Sequence, residues 1–485
     1  MTRFFKLKEN NTSVSTEITA GLTTFFAMSY ILFVAPNILG KTGMPTQGIF
    51  LATIIASVVS TLIMALFANV PYVQAPGLGL ATFFTYTVVL QLGFSWQEAL
   101  ALVFLCGVIN VTITLTKIRK MIIKSIPEVL QHAISGGFGM FVAYIGIKNA
   151  GFLKFTTDSS DILTVNNHPF NQATTHFSHG IQSIVSGSGI TPALINFNQA
   201  GALVALIGLL IMAFLMIKNV RGGILIGIIL TTLIGIPFGV THLSLAHAPS
   251  LAESFKELGV TMGAAFGPHG MVALFDHPGR LLLAIMTIFA FSLTDIFDTI
   301  GTFIGTGKKS GIFSQADEKE FFNGKGFKSK MDRSLFSDAA GSIVAAVCGT
   351  SNVTTFVESA SGIGAGGRTG LTSLTAAVMF ALSSLLAPVI AIIPTQATAP
   401  ALIIVGIMMM SSFKDINWSN LEDAIPAFFA SVFMAICYSI SYGIAAGFIF
   451  YLLVKICKKK FNEIHPMLVI CTILFILNFV VLAFI

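Results

Sequence analysis

The chain has 485 residues, of which 54% are hydrophobic and 10% are charged, and its mean hydropathy is +0.86. Soluble globular domains carry about 25% charged residues, so this composition excludes a soluble domain held by a single membrane anchor. The five cysteines lack the spacing of a metal site, and their scatter through apolar and inner segments argues against a disulfide framework. The composition predicts one large protein that crosses a membrane many times.

Apolar runs long enough to cross a bilayer, which takes about 20 residues, recur along the chain. We predict fourteen spans, at 17–39, 47–69, 75–92, 97–116, 127–150, 199–217, 222–241, 281–305, 334–350, 353–366, 369–394, 397–411, 424–439 and 441–456. A further apolar run at 465–485 is predicted to be either a fifteenth span or a surface helix.

The net charge of +6 follows the predicted topology. When the N-terminus is placed on the inner side, the outer segments keep only Lys41, Lys148, Lys154, Lys256 and Arg280 of the 27 lysines and arginines. Such an excess of basic residues on the cytoplasmic side is typical of membrane proteins. The pattern therefore predicts a cytoplasmic N-terminus, and it explains the positive charge without a nucleic-acid partner.

The predicted spans divide into two halves around the polar outer segment 242–279, with seven spans on each side. An odd number of spans inverts the second half relative to the first, as in many transporters. The third span of each half is interrupted, by proline and glycine in residues 73–84 and by hydroxyl residues and glycine in residues 349–370. Non-helical backbone survives at membrane depth only where it is buried in protein or lines a cavity. These two segments therefore predict a binding site near the midplane.

Three carboxylates lie inside apolar runs. Asp295 and Asp298 share one helical stripe with Thr299 and Thr302, and Glu358 lies in the interrupted tenth span. A charge at the bilayer centre costs roughly 2.5–3.5 kcal/mol on insertion scales, so such acids usually bind a substrate or an ion. The alternative is a structural hydrogen-bond cluster between helices. Thr23, on the first span, is a further polar candidate with the same two interpretations.

Two other classes of protein use such residues. The Asp295-x-x-Asp298 pair is compatible with a membrane-embedded enzyme that holds Mg²⁺, but such a site needs more oxygen ligands than one embedded pair supplies. A passive channel is the other alternative. Single buried acids and broken helices favour alternating access over a continuous pore.

Several motifs resemble the AzgA-like purine permeases, a branch of the nucleobase–cation symporter-2 (xanthine/uracil permease) family. They occupy residues 17–31, 75–79, 295–302, 358–372 and 424–428, and the resemblance runs from about residue 14 to residue 457. The resemblance implies an all-α polytopic fold of fourteen spans in two inverted seven-span repeats. It also implies a core domain of spans 1–4 and 8–11, a gate domain of spans 5–7 and 12–14, and short strands in spans 3 and 10.

The resulting domain map combines the span prediction with this resemblance. It comprises a cytosolic N-terminus at 1–16, core spans 1–4 and gate span 5 at 17–150, an outer loop at 151–198, gate spans 6–7 at 199–241, core spans 8–11 at 281–394, gate spans 12–14 at 397–456, and a C-terminal segment at 457–485.

The resemblance also implies a set of binding residues. By position, Asp295 and Glu358 correspond to the two principal substrate-binding acids of the family, with Thr299 one turn from Asp295 and the backbone around Ala81 and Ser359 in contact with the base. Relatives usually carry asparagine at the position of Ala81, so the base preference of this chain is open. Phe83, Phe84 and Phe356 are candidates to stack on the ring, and Glu358, Asp295 and Asp298 are candidates to carry a proton.

These observations predict a plasma-membrane importer of purine bases, hypoxanthine or guanine, driven by protons. An adenine, xanthine or uracil permease of the same fold is the closest alternative. No cofactor or metal is expected, and a homodimer is compatible with the family.

Overall fold

The computed structural model describes residues 2–116, 126–156, 162–165, 168–169, 184–186, 191–241, 250–276, 280–303, 311–314, 317, 329–387 and 392–484. Helices dominate these residues, and eight of them are long and apolar enough to cross a membrane, with five shorter apolar helices beside them. This architecture confirms the predicted all-α polytopic class.

The helices of the first half follow the predicted spans closely. They are α1 (Val14–Met28), α2 (Ile31–Leu39), α3 (Thr46–Ile63), α4 (Leu78–Thr82), α5 (Trp96–Leu115), α6 (Glu128–Asn149), α7 (Ala200–Ile217) and α8 (Gly223–Gly235). π-helical turns extend α3 over Met64–Ala68 and α4 over Phe83–Gln91. The predicted first span is therefore two helices, separated by a turn at Ser29 and Tyr30.

The second half repeats this order after an additional helix, α9 (Leu251–Thr261). Its helices are α10 (Leu281–Thr302), α11 (Lys330–Cys348), α12 (Ser359–Gly364), α13 (Gly370–Leu382), α14 (Thr395–Met409), α15 (Leu421–Ile436), α16 (Ile440–Cys457) and α17 (Pro466–Phe484).

Two short strands join the halves where the sequence predicted interrupted spans. β1 (Gln74–Pro76) pairs antiparallel with β7 (Val353–Thr355), with Gln74 opposite Thr355 and Pro76 opposite Val353. All six strand residues are buried, so their backbone groups are shielded from lipid, as non-helical backbone at this depth requires. The helices α4 and α12 begin directly after the two strands.

Helix packing follows the inverted repeat. The opening helix of the first half, α1, packs on α13, and its counterpart α10 packs on α5, the counterpart of α13. The same symmetry relates the α3–α13 contact to the α11–α5 contact, and the α7–α14 contact to the α15–α6 contact. The helix–helix contacts of the two halves are therefore equivalent, as the two predicted seven-span repeats require.

The segments that were predicted to be outer loops contain more regular structure than the sequence indicated. The described parts of 151–198 form β2 (Leu153–Thr156), β3 (Ile162–Val165), β4 (His168–Pro169), β5 (Ile184–Ser186) and β6 (Thr191–Leu194), with β2 paired to β6 and β3 paired to β4 and β5.

The interpretation of 242–279 as a polar loop is wrong for residues 251–276, most of which are helical, and this segment is long and apolar enough to cross a membrane. Ser250 and Glu253 form a capping box at the start of α9, a sequence signal for a helix start. Glu257 then accepts hydrogen bonds from the backbone N–H groups of Gln47 and Gly48, 3.0 and 3.3 Å away, which ties α9 to the start of α3.

The last apolar run forms α17, which packs against both α10 and α16. Its buried Phe475 contacts Phe289 of α10, with ring centroids 5.6 Å apart, and Phe448 of α16, at 5.9 Å. The helix therefore covers the junction between a predicted core helix and a predicted gate helix.

Candidate functional site

A cavity lies where β1 and β7 meet the helices that follow them. Its volume is about 50 Å³, room for a few water molecules. It is lined by Tyr30, Gly77, Leu78, Gly79, Asp298, Thr302, Thr354, Thr355, Phe356, Val357, Glu358, Val405 and Met409. These residues come from the first span, both strand segments, α10 and α14, so both halves of the chain build one site.

Glu358 occupies the N-cap position of α12 and is 8% exposed. The Tyr30 hydroxyl donates a 2.6 Å hydrogen bond to Glu358 Oε1. Arg368, the nearest basic residue along the chain, donates instead to the carbonyls of Ile363 and Gly367, both at 2.7 Å. Within the part of the chain that the structure describes, no lysine, arginine or histidine forms an ion pair with Glu358.

The two aspartates of α10 face different surroundings. Asp298 lines the cavity and is hydrogen-bonded by the Thr354 hydroxyl. Asp295 is fully buried behind it, where Asn110 Nδ2 of α5 donates to Asp295 Oδ2 at 2.8 Å and the Ser342 hydroxyl approaches the same oxygen at 3.5 Å. The structure therefore brings Asp298 and Glu358 into one cavity and places Asp295 against the neighbouring helices.

A further buried acid next to the site, Asp338 of α11, was not identified from the sequence. Its Oδ1 atom accepts hydrogen bonds from the Thr299 hydroxyl at 2.7 Å, the Thr355 hydroxyl at 3.1 Å and Gln74 Nε2 at 3.2 Å. Thr299 thus turns toward Asp338 rather than toward the cavity. The signal that could have revealed Asp338 is the one used for Glu358, a lone acid inside an apolar run.

Of the aromatic and hydroxyl residues predicted to bind the substrate, some line the cavity and others make contacts elsewhere. Phe356 lines the cavity, whereas Phe83 packs edge-on against Phe291 with centroids 4.7 Å apart. The Thr23 hydroxyl bonds the carbonyl of Thr19 at 2.8 Å, within its own helix.

Ala81 and Ser359 lie behind the cavity lining. The Ala81 N–H donates to the Gly77 carbonyl at 2.8 Å inside α4, and the Ser359 hydroxyl accepts a 3.1 Å hydrogen bond from the Val73 N–H. Both residues are fully buried, and the lining residues beside them are Gly77–Gly79 and Glu358. They support the backbone that forms the cavity wall.

Three comparisons relate this arrangement to known proteins. The model of the Permease family (Xan_ur_permease) matches residues 15–187 and 171–446. The chain is 39% identical over 490 residues to a protein named guanine/hypoxanthine permease PbuO of Bacillus subtilis (strain 168), covering 99% of this chain and 100% of that one. It is 33% identical over 482 residues to adenine permease AdeP of Escherichia coli (strain K12), covering 99% and 95% of the two chains.

Among solved structures, the transmembrane domain of a cyanobacterial bicarbonate transporter, BicA, shares the fold. Its TM-score is 0.55 at 16% identity, covering 91% of this chain and 96% of that one. The family match extends over most of the chain, and the relatives match it over nearly their full lengths. The chain therefore belongs to the Permease family and is a multi-pass membrane transport protein.

Proposed function

We propose that this chain imports purine nucleobases, hypoxanthine or guanine, across the plasma membrane together with protons. The observation that carries the proposal is the pair of cavity acids, Asp298 and Glu358, with no lysine, arginine or histidine among the described lining residues. The named relatives, which include guanine/hypoxanthine and adenine permeases, support a purine as the substrate. Family membership excludes the membrane enzyme considered from the sequence.

The groups that line the cavity are complementary to a purine, although the cavity must widen to admit one. Glu358 Oε1 is occupied by Tyr30, and its other oxygen accepts a ring N–H. Asp298 accepts a second polar edge of the base, and Phe356 packs against the flat face. The earlier assignment of this second contact to Asp295 stays a prediction, and we favour Asp298 because it lines the cavity.

Proton coupling follows from the same two acids. A carboxylate held at membrane depth without a cation is costly, and protonation removes that charge. If one proton enters with each base, a membrane potential of 100 mV supplies about 2.3 kcal/mol per charge, which favours import. An N-terminus in the cytoplasm places the basic segments on the side expected for a bacterial or eukaryotic plasma membrane.

The test is uptake of labelled bases in a strain without its own permeases. Uptake of hypoxanthine that collapses with a protonophore and persists when choline replaces sodium is the expected result. Competition by unlabelled guanine, adenine, xanthine and uracil then separates the alternative substrates. Saturable uptake of none of these bases, at normal abundance in the membrane, would contradict the proposal.

Two isosteric variants test the assignment of the acids. Asp298→Asn and Glu358→Gln are each expected to lower uptake by roughly 10- to 150-fold, because each removes a charged hydrogen-bond acceptor from the cavity, worth about 1.5–3 kcal/mol. Asp295→Asn is the matched variant on the same helix and is expected to reduce uptake less. A larger loss for Asp295→Asn than for Asp298→Asn would restore Asp295 as the substrate contact.

A further inference from the structure

Glu17, in the first motif of the chain, is a buried carboxylate that the proposed substrate site does not use. It lies on α1 with no exposed surface, and no described lysine, arginine or histidine forms an ion pair with it. Its Oε1 atom accepts a hydrogen bond from the Arg368 backbone N–H at 2.9 Å. Its Oε2 atom accepts from the N–H groups of Thr369 and Thr372, at 3.3 and 3.2 Å, and from the Thr372 hydroxyl at 2.6 Å.

All of these donors lie at the junction between α12 and α13. The same Arg368 whose backbone is held by Glu17 donates its guanidinium to the carbonyls of Ile363 and Gly367, both at 2.7 Å. These carbonyls belong to the last turn of α12 and the residues after it. Glu17 therefore holds the C-terminal end of α12 through Arg368.

The first span contacts α12 at two further positions along this helix. In the middle of α12, Gly362 lies so close to α1 that a Cβ atom there would overlap Thr24 Oγ1 and lie 2.6 Å from the Ala20 carbonyl oxygen. At its N-terminal end, Tyr30 donates to Glu358. A helix of six residues is too short to be stable alone, so its position, and that of Glu358, depends on such contacts with its neighbours, three of which come from the first span.

We propose that Glu17 is a positioning residue for Glu358: by fixing the junction after α12, it sets the place of the short helix that carries the cavity carboxylate. The inference rests on the proposed function for its effect on transport, but its effect on α12 is independent of the substrate. Glu17→Gln has nearly the same volume, yet one of its two oxygens becomes an NH₂ group that faces N–H donors. At least one end of the junction then loses its acceptor.

The closing experiment combines uptake kinetics in proteoliposomes with hydrogen–deuterium exchange on the full-length protein. Glu17→Gln is expected to raise the KM for hypoxanthine about tenfold, the factor expected from loss of one charge-assisted hydrogen bond, and to change the maximal rate per transporter less than twofold. It is also expected to speed exchange in residues 359–364. In the double variant Glu17→Gln/Tyr30→Phe, the fold-increase in KM should be smaller than the product of the fold-increases in the two single variants, because both residues act on α12.

Asn69→Ala is the matched control, because Asn69 Oδ1 accepts the Gly370 N–H at 2.9 Å at the start of the same α13. It is expected to speed exchange near residue 370 without changing the exchange of residues 359–364 or the KM.

Thr372→Val is a milder variant that removes only the hydroxyl donated to Glu17, and a smaller KM increase is expected. Unchanged exchange in residues 359–364 in Glu17→Gln and Thr372→Val would overturn the inference. If Glu17→Gln speeds exchange in residues 359–364 but the wild-type protein takes up no purine, the inference is upheld and the proposed function is rejected.

Discussion

Asp338 organises the candidate site from behind, because one of its oxygens bonds three separate elements. Thr299 belongs to α10 next to Asp298, Thr355 lies in β7 three residues before Glu358, and Gln74 lies in β1. A single carboxylate thus links the helix that carries Asp298 to the strand that precedes Glu358. Its place away from the cavity makes it a support for the site rather than a contact with the substrate.

Removal of this carboxylate is expected to destabilise the protein. Asp338→Ala removes the acceptor of the buried Thr299 and Thr355 hydroxyls, each with a desolvation cost of about 1–3 kcal/mol, and should lower the free energy of unfolding by roughly 2–6 kcal/mol. Gln74 Nε2 keeps a second acceptor, Thr355 Oγ1, at 3.2 Å. Asp338→Asn retains an acceptor oxygen and should lose less. The measurement is thermal inactivation in detergent, with exposed Asp415→Ala as control. Equal stability of Asp338→Ala and wild type would show that the two hydroxyls find other acceptors.

At the level of single residues, the sequence identified the buried acids but could not predict which of them face the cavity. Asp298 and Glu358 were identified because each lies in an apolar run, and both line the cavity. Asp295 and Asp298 are three positions apart, only about 60° apart around a helix at 100° per residue, so the helical period puts both on one stripe. Asp295 faces away from the cavity, where Asn110 of α5 donates a hydrogen bond to it. The residue pattern of α10 alone does not predict this contact with another helix.

At the level of elements, close packing of α12 on α1 makes Gly362 irreplaceable. Gly362→Ala would force its Cβ against Thr24 and the Ala20 backbone, and a backbone carbonyl cannot rotate away as a side chain can. We expect a stability loss of roughly 1–3 kcal/mol and uptake reduced at least tenfold.

Gly364→Ala, in the same helix, is the matched control. Among the described residues, no heavy atom from outside the adjacent backbone lies within 4 Å of a Cβ atom at this position, so stability and uptake should stay close to wild type. Similar losses in both variants would mean that α12 responds to helix composition rather than to contact with α1.

An ion-pair cluster connects the ends of α15 and α16. Lys460 Nζ lies 2.7 Å from Glu422 Oε2, and Lys455 and Lys458 lie 3.7 Å from the Glu422 carboxylate. The hydrogen bond from Lys460 lowers the pKa of Glu422 below its usual value of 4.5. Because the folded-state pKa is lowered, this contribution to stability is present above the unfolded pKa and is lost as the pH falls through the folded pKa.

The cluster therefore predicts an acid-dependent loss of stability. The melting temperature of the wild type should fall as the pH drops below about 4.5, and Glu422→Gln should flatten that part of the profile. Glu9→Gln removes an exposed pair with Lys6, whose atoms are 3.4 Å apart, and should leave the profile unchanged. A Glu422→Gln profile parallel to that of wild type would exclude Glu422 as a source of the acid sensitivity.

The elements themselves were largely predictable, because span-length apolar runs mark most helices. The interrupted spans were also predictable from Pro76, Gly77 and the hydroxyl-rich run at 349–370. The break at Ser29 and Tyr30 was not, because no glycine or proline marks it. Helix α9 was missed because the serine, threonine, glycine and histidine residues of 242–279 made it resemble a loop, although the capping box was present.

At the level of the whole molecule, α17 lies across the predicted boundary between core and gate. Phe475→Ala removes contacts with Phe289 and Phe448 together and should lower stability by roughly 3–5 kcal/mol. Ile476→Ala, at an exposed neighbouring position, is the control, and thermal inactivation in detergent is the measurement. A wild-type inactivation temperature in Phe475→Ala would mean that α17 is only loosely attached.

The inverted repeat could be predicted from the span count, but the contacts between its halves could not. An odd number of spans per half predicts inversion without saying which helices meet. Pairing of α1 with α13 and of α10 with α5 depends on surfaces that lie far apart in sequence. The register of β1 with β7 is equally a property of the assembled chain.

That register has a consequence for biosynthesis. Gln74 and Thr355 are 281 residues apart, so at about 5–20 residues per second the ribosome needs roughly 15–60 seconds to deliver the second strand after the first. An unpaired strand in hydrocarbon leaves N–H and C=O groups unsatisfied at a cost of several kcal/mol each. The early strand must therefore wait in a wet or protein-lined place, such as the insertion machinery, until its partner has been translated.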